Sequence, residues 1–205
     1  MSPQPSRSDP VFVTDGFHAL PPGKIAAIAT YLELRRDEPR PPVPAGPWRF
    51  EPLAGRAARY RALYAAIGRP WMWFSRAGHS EAEIAAIIDD PAVEALALVE
   101  EGRDIGLLEL DFRQRGECEI AFLGLVDGQG GTGRGRALIA EGIRRAFAAP
   151  VARLWLHTCT LDHPAALRFY RRAGLRPYLR AIEIADDPRV TGRMPRDAAP
   201  DLPIL

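Results

Sequence analysis

The chain has 205 residues, enough for one good-sized core with extensions. Hydrophobic residues make up 47% and charged residues 26%, with a formal net charge of +1. That balance excludes the strongly basic field of a nucleic-acid binder, and no stretch approaches the ~20 apolar residues of a membrane span. Neither nucleic acid nor membrane is expected as a partner. Cys118 and Cys159 both lie in apolar runs and read as buried free thiols of a reducing compartment. The first residues, MSPQPSRSDP, lack the apolar core of a signal peptide, so a cytoplasmic protein is expected.

In chain order, residues 1–10 read as a disordered tail. IAAIATYLEL (25–34) alternates like a strand at Ile28, Thr30, Leu32 and Leu34, although its alanines favour helix; strand is preferred. DEPRPPVPAGP (37–47) is a proline-rich connector, so residues 1–47 form an N-terminal arm and connector ahead of the main domain, 48–185. WRFEPL (48–53) is a short strand. Tyr60, Leu63, Tyr64 and Ile67 recur at helical spacing up to Gly68. The aromatic run PWMWF (70–74) follows. Ser80 and Glu83 form a capping box for a second helix through Ile84, Ile87 and Ile88. Strands are expected at 93–102, 104–112 and 118–126, then a glycine-rich loop and a helix from about Arg134 to Ala148. A strand at 151–159 precedes a helix at 164–174, with Pro164 at its first position and Gly174 at C′. LRPY and AIEIA are short strands, and 186–205 an irregular C-terminal arm. Helices thus interleave with a sheet that begins antiparallel and has a later crossover.

The stretch GQGGTGRGRALIAEG (128–142) feeds glycines into a helix. First-turn amides have no partners inside the helix, the dipole adds positive charge, and glycine permits close approach, so a phosphate fits there. A P-loop is excluded because Arg136–Ala137 stands where Lys-Ser/Thr is needed. The spacing of Gly131, Gly133 and Gly135 does not fit a dinucleotide loop, and a purely structural turn is an alternative.

G-R-G-R-A-L (133–138) resembles the G-x-G-x-x-L core of the acyl-CoA loop of the GNAT N-acetyltransferase superfamily. H-P-A-A-L-R-F-Y-R-R-A-G-L (163–175) resembles the family's N-x-x-A-x-x-x-Y-x-x-x-G-F segment, with Ala166, Tyr170 and Gly174 matching. The resemblance covers roughly residues 48–184, and the whole chain is similar to a bacterial subgroup with a GKIAAIATYLE-like arm and a PWMWFSR-like segment, which implies no particular acceptor. Gly130 replaces the usual Arg or Gln, His163 the usual Asn, and Leu175 the usual Phe. The resemblance implies an α/β fold: a GNAT-like mixed sheet, antiparallel in its first half, with splayed parallel fourth and fifth strands and helices on both faces. It implies acetyl-CoA, or another acyl-CoA, as donor co-substrate, without a metal. The pyrophosphate is expected on Gly131, Thr132, Gly133, Arg134, Gly135 and Arg136, with the pantetheine near Leu125 and Val126 and a further contact at His163.

The implied activity is N-acetyltransfer by direct attack of an amine, on a small molecule or peptide, by a monomer or homodimer. A non-catalytic acyl-CoA-binding or sensing module is the alternative. The catalytic candidates are Glu119 as base and Tyr170 as acid. Glu119 stands fourteen residues before Gly133, the family's spacing for a catalytic glutamate; the alternatives are a solvent-facing side chain or a water chain as base. Tyr170 alternatively packs in the core. Glu109 and Asp111 share a strand face, and a one-residue slip decides whether they join Glu119. Glu109, Trp71, Trp73 and Phe74 are expected to contact the acceptor, the aromatics through apolar or cation–π contacts, unless they form a core cluster. His157, Cys159 and His163 lack the paired close spacing of a zinc site.

Overall fold

The computed structural model describes residues 14–205; the tail expected at 1–10 lies outside them. Seven strands form one sheet: β1 (Lys24–Arg35), β2 (Trp48–Pro52), β3 (Val93–Glu100), β4 (Arg103–Asp111), β5 (Glu117–Leu125), β6 (Arg153–Cys159) and β7 (Arg176–Asp186). The helices are α1 (Ala57–Gly68), α2 (Glu81–Ile88), α3 (Arg134–Ala146) and α4 (Ala166–Arg172). The strand order is β2-β3-β4-β5-β6-β1-β7. All neighbours run antiparallel except β5 and β6, which are parallel across the α3 crossover.

Helices cover both faces. On one, Tyr60, Leu63 and Ile67 of α1 and Ile84 and Ile88 of α2 bury against Ala95, Ala97, Val99 and Leu107. On the other, Leu138, Ile139 and Ile143 of α3 and Tyr170 of α4 pack on Leu96, Leu108, Leu110 and Leu154. The helical spacing of apolar residues is what allows each helix to bury one stripe this way. The capping box of α2 is present, with Ser80 Oγ accepting from the Glu83 amide and Glu83 from the Ser80 amide.

Three segments differ from expectation. Lys24–Arg35, placed by sequence within an arm, is β1 and lies between β6 and β7 in the same sheet. Ile28 shares the face of Leu32 and Leu34 yet is 40% exposed, beside Ile182 and Ile184 of the edge strand. LRPY and AIEIA form one strand, β7, because nearly its whole length pairs with β1; Pro177 sits on that edge strand, where its missing donor costs no ladder bond. The last residues pack through Met194, Ala198 and Ala199 against Ile25 and Met72. Buried Arg189 organises this segment, donating to Asp187 and to the carbonyls of Ala198 and Leu202.

Candidate active site

The β5–β6 ladder is three residues long. It runs from Glu117↔Arg153 to Glu119↔Trp155 and then ends, although both strands continue. The strands part, and a cleft of about 1380 Å³ opens there. Its walls include Glu119, Leu125 and Val126 from β5, Tyr170 from α4 and His157 from β6. The Val126 amide donates to Ile105 of β4 at 3.0 Å. Alternation along the strand therefore turns the amides of Leu125 and Leu123 toward the slot.

At one end of the cleft the glycine loop enters α3. Gly133 is the N-cap with φ +92, a left-handed conformation that glycine adopts without steric cost. The first intrahelical bond comes from the Ala137 amide to Gly133 O. Among the described residues no partner stands against the amides of residues 131–136, and a Cβ at Gly131 would meet nothing within 4 Å. This is open backbone donor capacity at a helix N-terminus, which suits a phosphate. The two arginines part ways. Arg134 is held by Glu100 of β3 and Thr132 Oγ1, whereas exposed Arg136 makes no ion pair with the described residues and lines the cleft.

Glu119 is 5% exposed, and burial, with Asp111 and Glu109 nearby, raises its carboxyl to about 8. No hydrogen bond reaches it from the described residues; His157 lies beside it, with Nδ1 4.0 Å from Oε1. The His157 ring is open to the cleft, 41% exposed, and desolvation lowers its pKa, favouring the neutral form. It lies 5.3 Å from the ring of Tyr31.

The β4–β5 register answers the question the sequence left open. Asp111 pairs with Glu119, Glu109 with Phe122, and a bulge falls between Glu109 and Leu110. Asp111 is committed to Arg113, with Nε 3.0 Å from both carboxylate oxygens. Glu109 does not reach the cleft: it is 0% exposed, binds Arg76 at 2.8 Å and accepts from the Tyr60 hydroxyl. Its expected acceptor contact is replaced by an anchor for the loop that carries Arg76.

Tyr170 is 9% exposed, and its hydroxyl takes no hydrogen bond from the described residues. Burial raises its pKa, so the proton stays on the oxygen. Its position is fixed by the end of α4: the Leu175 amide donates to Tyr170 O and the Gly174 amide to Arg171 O, a Schellman closure. His163 does not stand free. Its Nδ1 accepts the Ala165 amide ahead of α4, and its ring lies 5.0 Å from Trp71.

Trp71, Trp73 and Phe74 all line the cleft. Trp73 is the most committed: it packs on Tyr64 and Phe122 and donates from Nε1 to Asp162 at 3.3 Å. A Cβ on Gly124 would come within 2.8 Å of its ring, so glycine there lets the indole lie against β5. Asp162 also receives Thr158 Oγ1 and the Cys159 amide, both at 2.8 Å. Cys159, expected to be buried, is half-buried and lines the cleft; desolvation pushes its thiol up to about 12, which disfavours a nucleophilic thiolate. Among the described residues no three His, Cys, Asp or Glu side chains converge as a metal site.

Residues 60–175 match the model of the acetyltransferase (GNAT) family. The chain belongs to the GNAT acetyltransferase family. Solved structures agree on the fold. A GCN5-related N-acetyltransferase from Sphaerobacter thermophilus is 22% identical, with a TM-score of 0.55 over 78% of this chain and 52% of that one. A GCN5-related N-acetyltransferase from Kribbella flavida is 19% identical, with a TM-score of 0.55 over 83% and 63%. An aminoglycoside acetyltransferase from an uncultured soil sample is 22% identical, with a TM-score of 0.51 over 64% and 93%. The chain thus spans only 52% and 63% of the first two. No curated protein matches it. Among the described residues, no helix of this GNAT protein is long and apolar enough to cross a membrane.

Among the residues of the GNAT cleft that sequence reasoning missed are Tyr31, Trp155, Asp162 and Glu183. Tyr31 and Glu183 lie on β1 and β7, and no local pattern reveals that β1 pairs with β6 and β7 with β1. Trp155 pairs with Glu119 only through the parallel ladder.

Proposed function

We propose that this GNAT protein transfers an acyl group, acetyl in the simplest case, from coenzyme A to an amine by direct attack. The observation that carries the reading is the convergence at one cleft of open loop amides, a buried carboxyl of raised pKa and a protonated tyrosine hydroxyl. These residues fit an acyl-CoA. The amides of residues 131–136 and Arg136 would hold its pyrophosphate, and the slot amides of Leu123 and Leu125 its amide-bearing arm. The donor supplies an acyl group activated as a thioester.

Glu119 takes the proton that the acceptor nitrogen gives up as the new N–C bond forms. A slot-facing strand amide near Leu125 donates to the carbonyl oxygen as negative charge builds there. Tyr170 gives its proton to the sulfur as the C–S bond breaks, leaving an amide and a free thiol. Its raised pKa keeps the proton in place until a strong base forms beside it.

Thiol release from acetyl-CoA across a panel of amines tests the reading. Release is the expected result; tight binding without release from any amine would instead indicate a binding module. Gly135→Glu is expected to weaken coenzyme A binding by more than about 10-fold, because a carboxylate in the first turn of α3 replaces attraction by repulsion. A Cβ there meets the Phe169 ring at an ordinary 3.5 Å, so the fold should persist. Calorimetric affinity equal to the parent's would sink the loop assignment. Tyr170→Phe is expected to lower kcat by about 10²-fold with little change in acetyl-CoA affinity; an unchanged kcat would remove the acid role.

A further inference from the structure

We propose that the acceptor is a small amine carrying a second positive charge, a diamine or longer polyamine, whose reacting nitrogen lies at Glu119 and whose second charge is held by Glu183. This rests on the acyl-transfer reading of the cleft and names its substrate class.

Charge is distributed unevenly along the cleft. Arg136 is the one lysine or arginine among its described lining residues, and it stands at the glycine-loop end. Asp127 lines that end as well; away from it the described lining carries the carboxylates Glu119, Glu183 and Asp162, the last engaged by Trp73, Thr158 and the Cys159 amide, and no lysine or arginine. Glu119 is buried, and its ion-pair contact among the described residues is with His157, Nδ1 lying 4.0 Å from Oε1. Glu183 is half-buried on β7 and makes no ion pair or hydrogen bond with the described residues. Nearby cations are engaged or face elsewhere. Lys24 pairs with Asp186 at 2.6 Å, and Arg180 alternates to the other face of β7 with Ile182 and Ile184. Tyr31 lines the same cleft, and burial, with Glu183 and Glu119 acting on its hydroxyl, raises its pKa.

The floor around Glu183 is made of small side chains. Glu183 pairs with Ala27, and on the same face Ala29, Ala181 and Ala185 line the cleft, with buried Ile25 opposite Ala185. Three small cleft-lining alanines leave an apolar trough beside the Glu183 carboxylate, which suits a methylene chain ending in an ammonium. The faces of Tyr31 and Trp71 add sites where a cation is attracted. An acceptor carrying its own carboxylate would meet the Glu183 carboxylate with no lysine or arginine beside it in the described lining, which disfavours an amino acid.

The test compares 1,4-diaminobutane, n-butylamine and L-alanine by calorimetric binding and by thiol release with acetyl-CoA, for the parent and for Glu183→Gln. A charge-assisted contact predicts that the diamine binds about 10-fold or more tighter than butylamine, and that Glu183→Gln shrinks this gap to about 2-fold, chiefly through KM in the turnover arm. Equal affinities, a gap that survives Glu183→Gln, or preference for alanine would overturn the proposal. A Glu183-dependent gap in binding with no thiol release from any amine would uphold the diamine site and overturn the acyl-transfer reading instead.

Discussion

Replacing Glu119 with glutamine is expected to lower kcat/KM by about 10²-fold or more, the range for loss of a positioned acid–base group. The variant is also expected to lose an ionisation near pH 8 from the rate profile. The side chain sits at the last rung of the β5–β6 ladder, 5% exposed and facing Asp111, Glu109, Arg76 and His157. Burial and the two neighbouring carboxylates outweigh Arg76 and raise its carboxyl to about 8. Only the ionised form accepts a proton, so parent activity should climb as pH rises from 6 through 8. In the glutamine variant that limb should vanish, leaving only the limb from the acceptor's own ammonium. The folded state favours the protonated carboxyl, because the folded pKa lies above the ordinary carboxylate value. That stabilisation is complete below the ordinary value and is lost as pH rises through about 8. Glu119→Gln should therefore gain Tm relative to the parent at pH 9 compared with pH 6. A full rate retaining the limb near pH 8 would place the base elsewhere.

The largest loss of stability is expected from Arg76→Ala. Arg76 is 5% exposed and Glu109 0%, and their 2.8 Å pair lies between the α1–α2 loop and β4. Removing one partner leaves a buried charge whose remaining contact is the Tyr60 hydroxyl, which costs about 3–5 kcal/mol. Replacing both, Arg76→Met with Glu109→Leu, should recover most of that loss, because no charge is then stranded. Denaturant unfolding of the parent, both single variants and the double variant measures the coupling. A loss below about 1 kcal/mol in Arg76→Ala would show that Glu109 is solvated, contrary to its burial. The same variant frees the backbone that carries Trp71, Trp73 and Phe74, so acceptor KM should rise more than kcat falls.

What the sequence showed and what it hid divide along local and non-local lines. The α1 stripe of Tyr60, Leu63, Tyr64 and Ile67, the Ser80–Glu83 box and the Gly174 closure of α4 were legible because each is decided within a few residues. The loop into α3 was legible for the same reason. Strand order was not: β1 precedes the main domain in sequence but lies between β6 and β7, which brings Tyr31 to the cleft. The bulge beside Glu109 separated two carboxylates that looked equivalent, leaving Asp111 opposite Glu119 and Glu109 with Arg76. Nor does spacing reveal that Arg134 is taken by Glu100, thirty-four residues earlier, while Arg136 lines the cleft.

A crystal structure of the protein with coenzyme A bound tests the central claim most directly. The pyrophosphate is expected within about 2.7–3.2 Å of amides between Gly131 and Arg136. The pantetheine is expected beside β5 between Leu123 and Val126, with the sulfur in reach of the Tyr170 hydroxyl. Coenzyme A seated elsewhere, or a sulfur remote from both Tyr170 and Glu119, would contradict the account.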